Sequence, residues 1–82
     1  MELRPEVKEF AEQIEFNLRK HDPIKGDSYK EMDLGELNEL MQKEYYEVLD
    51  ADTPSKAIEE LVDLGSIVNL CYYRISRINI GE

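Results

Sequence analysis

The five residues Asp50-Ala51-Asp52-Thr53-Pro54 constrain this chain more than any other stretch. They separate two segments whose apolar residues recur at helical spacing, and they leave room for a turn and little else. Thr53 is suited to an N-cap. Pro54 is suited to the first helical position, where its missing N–H is no loss. Two helices joined this tightly lie side by side and antiparallel. The last turns of one are therefore brought against the first turns of the next.

What they bring is acid. Glu44 and Glu47 form one couple, Glu60 and Asp63 a second, each spaced i, i+3 so that both members share a helix face. In the first of the two helices, Leu37, Met41 and Val48 fall close to one line at roughly 100° per residue. Glu44 falls on that same line, and Glu47 lies beside it, next to Leu40. A carboxylate on an apolar stripe is partly desolvated, and an unpaired charge there is costly. In the second helix, Ile58, Leu61, Val62, Gly65, Val68 and Tyr72 form one face expected to be buried. Leu64, Ile67 and Cys71 form another on the opposite side, and Glu60 and Asp63 open it. A helix apolar on two sides packs on two sides. Four converging carboxylates repel unless a cation stands between them, and hard oxygen donors suit Mg²⁺ or Mn²⁺.

The remainder reads as one further helix and its connection. Pro5 opens an amphipathic segment with Val7, Phe10, Ile14 and Leu18 at helical spacing, predicting a helix over about 5–20. His21 to Ser28 carries Pro, Gly, Asp and Ser and reads as a long loop, with Lys25 in it and Lys30 just beyond. Asp33 and Glu36 form a capping box ahead of a helix over 34–49, with Met32 and Leu37 placed as its hydrophobic staple. The last helix is expected over 54–79. At about 26 residues, or roughly 39 Å, it is long for an 82-residue chain. Its far end, Tyr72 to Ile78, has more apolar surface than two short helices cover. The expectation is a single all-α domain over 1–82, three helices assembling into a homodimer or homotetramer.

Composition closes off other classes. Nineteen acidic residues against 10 basic ones give a net charge of −9, and no basic stripe offers itself to nucleic-acid phosphates. No apolar run approaches the roughly 20 residues that span a bilayer. The opening Met1-Glu2-Leu3-Arg4-Pro5 lacks the pattern of a signal peptide, so a cytoplasmic location is expected. Cys71 has no second cysteine to pair with and lies on an apolar face, which reads as core rather than nucleophile. Carboxylate-bridged di-iron bundles use Glu-x-x-His pairs, and this chain has none.

The arrangement Glu44-x-x-Glu47, twelve residues, Glu60-x-x-Asp63 resembles the MazG-like nucleotide pyrophosphohydrolases, of the all-α NTP pyrophosphatase superfamily. The segment His21-Asp22-x-x-Lys25-Gly26-Asp27 is similar to the one preceding the metal helices in phage-type members that act on deoxynucleotides. The resemblance covers roughly residues 15–75. It implies that Glu44, Glu47, Glu60 and Asp63 are Mg²⁺ ligands, with Mn²⁺ as a substitute, and that Glu44 or Glu47 orients or deprotonates the attacking water. It implies hydrolysis of a nucleoside or deoxynucleoside triphosphate to the monophosphate and pyrophosphate. His21, Lys25 and Lys30 would contact substrate. So would Ser66, which stands where many members carry an Asn that helps hold the base. It also implies dimers or tetramers with sites shared between chains. The other reading of the same residues is a non-catalytic helical oligomer or adaptor, its acids making salt bridges between helices to lysines such as Lys43 and Lys56.

Overall fold

The computed structural model of the chain describes residues 1–25 and 32–78, with the side chains of 22–25 outside that description. Three helices follow in order: α1 (Pro5–Lys25), α2 (Leu34–Asp50) and α3 (Pro54–Ser76). The described residues contain no strand. The all-α class expected from the periodicity is the class found.

The α2–α3 hairpin is built as its caps dictate. Asp33 has extended backbone, and its carboxylate accepts the Gly35 N–H at 3.1 Å. The Thr53 hydroxyl accepts the Lys56 N–H at 3.1 Å, with Pro54 leading the helix. Each cap satisfies one of the donors that a helix start leaves without a partner, an interaction typically worth about 1 kcal/mol. At the open end of the hairpin the Arg74 guanidinium donates to the Met32 carbonyl, tying the last turn of α3 to the residue before the α2 cap. The two helices are thus clasped at both ends and run antiparallel.

α3 is the central helix and packs against both α2 and α1. Its buried residues are Glu60, Ser66 and Cys71; Leu37 is the one buried residue of α2, at 1% exposure. α1 crosses at Gly65. A Cβ there would meet Phe10 Cε2 at 3.0 Å and Ile14 Cδ1 at 3.2 Å, with Phe10 Cζ closer still. The glycine lowers the helical propensity of α3 by about 1 kcal/mol relative to alanine. In return it opens a recess for the Phe10 ring.

Three details depart from the sequence reading. α1 continues through His21-Asp22-Pro23-Ile24-Lys25 instead of giving way to loop at residue 20. A proline this near a helix end removes a single i→i−4 bond, which the remaining turn tolerates. α3 closes at Ser76, with the Arg77 N–H bonded to the Arg74 and Ile75 carbonyls; residue 79, its expected end, lies outside the described residues. The face Ile58, Leu61, Val68 and Tyr72, expected to be buried, is open within one chain, with Ile58 62% and Tyr72 72% exposed. α1 covers that face only around Gly65, because Phe10 and Ile14 reach it there.

The chain consequently leaves much surface uncovered. Its accessible area is 6710 Å², against about 5,100 Å² for a compact monomer of this mass. Its radius of gyration is 13.9 Å, against about 11.7 Å for a compact domain of this length.

The Gly65 recess makes a testable prediction. Gly65→Ala should destabilise the protein by about 1 kcal/mol in urea unfolding, because displacing Phe10 outweighs the gain in helix propensity. In a Phe10→Ala background the same substitution should become stabilising. Equal effects in the two backgrounds would show that the ring does not occupy the recess.

Candidate metal centre

The antiparallel pairing places the end of α2 beside the start of α3. Carboxylate oxygens of Glu44, Glu47 and Glu60 come within 4.8 Å of one another. The two from α2 sit one turn apart on a single face, and Glu60 meets them across the hairpin. Glu44 and Glu47 are half-buried, while Glu60 is 7% exposed although it is a charged residue.

Among the described residues little compensates these charges. Glu44 Oε2 and Glu60 Oε2 are both buried with no hydrogen-bond partner. Glu60 Oε1 has one cation, Lys56 Nζ, at 3.2 Å, one turn earlier on α3. Lys56 also lies 3.5 Å from Glu59. Among the described residues no other cation lies within ion-pair distance of the four acids. Interhelix salt bridges from Lys43 or Lys56, the alternative use for these acids, do not occur among the described residues. Lys56 pairs within its own helix.

The electrostatic consequence falls on Glu44. Burial raises its pKa first, and the charge of Glu47, a side-chain hydrogen bond with Glu47, and the charges of Asp63 and Glu60 raise it further. Together they push it from the ordinary 4.5 up to about 7. Both causes disfavour a second negative charge in a confined space.

Asp63 stands beside the trio rather than in it. It is close enough to bear on Glu44, but its Oδ1 accepts a hydrogen bond from Asn17 Nδ2 of α1 at 3.3 Å. The same amide donates to Ser66 Oγ at 2.9 Å, and that hydroxyl donates to the Val62 carbonyl at 2.8 Å. Ser66 is therefore a buried polar link between α1 and α3, 3% exposed. His21 is exposed, one turn beyond Asn17 on α1. The Lys25 side chain and Lys30 lie outside the described residues.

Asn17 is the residue that sequence reasoning passed over. Its signal was present: it falls seven residues after Phe10 and three after Ile14, on the apolar stripe of α1. The same placement had marked Glu44. Cys71 is buried, and desolvation raises its thiol pKa while the Arg74 charge draws it down. A buried thiol held in its protonated form is a core group rather than a nucleophile.

Buried oxygens without partners, on carboxylates that crowd one another, fit a hard divalent cation by donor chemistry. Glu44, Glu47 and Glu60 would hold it, with Asp63 at the edge of the set.

The raised Glu44 pKa predicts a pH dependence. The folded state holds this proton more tightly than the unfolded chain does. The metal-free protein should therefore have that contribution in full below pH 4.5 and lose it as pH rises through about 7. Glu44→Gln should abolish this slope and raise the metal-free Tm at pH 8 by about 5 °C, with little change at pH 4.5. A fall in Tm at pH 8, measured by circular dichroism, would show that the Glu44 charge is not destabilising in the metal-free protein. Compared with known proteins, the chain matches no protein family, no curated protein and no solved structure.

Proposed function

We propose that the chain is a Mg²⁺-dependent nucleoside triphosphate pyrophosphohydrolase, acting as a MazG-like homo-oligomer. One observation carries the reading. Two antiparallel helices present three carboxylates within 4.8 Å, two of them with buried, unpartnered oxygens. A structural ion-pair network would have supplied basic partners from facing helices; among the described residues this site has a single lysine, from the same helix.

The chemistry follows from the residues. Glu44, Glu47 and Glu60 would hold the divalent ion, which would supply positive charge against the negative charge that develops in phosphoryl transfer. Glu44 or Glu47 orients the attacking water and accepts its proton. Asp63, held by Asn17, maintains the acidic edge of the site. His21 and Lys25 belong to α1, with Lys30 further along the chain, and are the groups proposed to meet the triphosphate and base.

The oligomer is proposed from the exposed seam of α3. Ile58 and Leu61 lie before the α1 crossing at Gly65, and Val68, Tyr72 and Ile75 lie after it, at the three- and four-residue steps by which helices pair. Ile58, Leu61, Val68, Tyr72 and Ile75 are each more than two-fifths exposed. The excess of accessible area over a compact monomer is about 1,600 Å² per chain, more than the roughly 800 Å² that each partner buries in a standard interface.

Pyrophosphate release should be measured over a panel of NTPs and dNTPs with Mg²⁺ and with EDTA. The parent should be active on at least one nucleotide with Mg²⁺ and inert with EDTA. Glu44→Gln should lose at least about a hundredfold, and Asp63→Asn about ten- to a hundredfold, as expected of a group at the edge of the ligand set. A folded parent inert on every nucleotide would overturn the assignment. In light scattering the parent should run at twice the 9.6 kDa chain mass or more. Val68→Glu with Tyr72→Glu should reduce it to monomers. A monomeric parent would remove the oligomer.

A further inference from the structure

Lys56 occupies an unusual position beside the acids. Its Nζ lies 3.2 Å from Glu60 Oε1 and 3.5 Å from Glu59 Oε2. The Glu60 side chain is 9% exposed, whereas Lys56 is 54% and Glu59 70% exposed. The other Glu60 oxygen is buried without a partner, and Glu60 offers an oxygen to the cluster with Glu44 and Glu47. One lysine thus reaches from solvent to one side of a buried ligand carboxylate. An exposed glutamate on the same turn can hold the ammonium when it is not there.

We propose that Lys56 is a tethered counter-ion that competes with the divalent cation for Glu60, and so sets the metal concentration at which the acidic site fills. The inference rests on the reading of these acids as a cation site and concerns the regulation of that site.

A lysine carries one charge and can answer only one of the three carboxylates; the other two still face each other. A divalent ion answers more of that charge, so it displaces the influence of Lys56 rather than being shut out by it. Both cations draw on the same carboxylate, and they repel each other. The lysine stem is flexible and half in solvent, which keeps its pairing weak and its position adjustable. With Glu59 at i+3 and Glu60 at i+4, the ammonium can stay with Glu59 when the metal takes Glu60. Lys56 also contributes its backbone N–H to the Thr53 cap, an interaction that no side-chain substitution removes.

The test is calorimetric titration of Mn²⁺ into the parent, Lys56→Met and Lys56→Arg, with thermal melts of all three. Lys56→Met should bind Mn²⁺ about three- to tenfold more tightly than the parent, since a nearby positive charge has been removed. Lys56→Arg should stay within about twofold of the parent. The gap should narrow as salt rises, because an exposed charge is screened. Equal affinity in the parent and Lys56→Met would overturn the proposal and leave the cation site standing. Weaker binding by Lys56→Met would also overturn it, showing that the lysine organises the ligands. No Mn²⁺ bound by either protein would remove the cation site itself, and the proposal with it.

Discussion

Like charges pressed together at one end of a helical hairpin set the terms for the rest of this protein. Glu44, Glu47 and Glu60 are held within 4.8 Å although each prefers distance from the others. The hairpin must be clasped firmly enough to impose that. Capping at Asp33 and Thr53 fixes where both helices begin, and Leu37 of α2 and Cys71 of α3 are their buried apolar residues. Arg74 reaches back to the Met32 carbonyl and closes the end remote from the acids. Apolar packing and backbone hydrogen bonds hold the arrangement, and the electrostatics oppose it. Opposition of this kind is common where a ligand is meant to bind, because the ligand recovers what the empty site gives up.

α1 is the second determinant. It lacks a dry core of its own and settles on α3 through two contacts of different kinds. Phe10 and Ile14 enter the recess over Gly65. Asn17 bonds both Asp63 and Ser66. The polar contact separates Asp63 from the other three acids in kind as well as in place. Glu44 and Glu60 keep buried oxygens without partners, while Asp63 has an amide donor. The four acids that look equivalent along the chain are therefore a trio and an outlier.

The net charge of −9 fits this arrangement. Bound divalent cations would reduce the local excess. The apolar seam of α3 has a parallel logic. A helix that gives one side to α2 and part of another to α1 still has a row of apolar residues facing water, which a second copy would cover.

Helix content, the order of the three helices and the convergence of Glu44, Glu47 and Glu60 were legible in the sequence. Periodicity, N-caps and a three-residue turn are local signals, and a short antiparallel connection has few geometric solutions. Tertiary structure decided which face of α3 is covered, because that depends on where α1 crosses. The crossing is set by the fit of Phe10 over Gly65 and by the bonds of Asn17. It also decided that Asp63 takes a donor from α1 while Glu60 Oε2 is left without one. Spacing puts two acids on the same face of a helix, but only the neighbour that packs against that face determines which of them finds a donor.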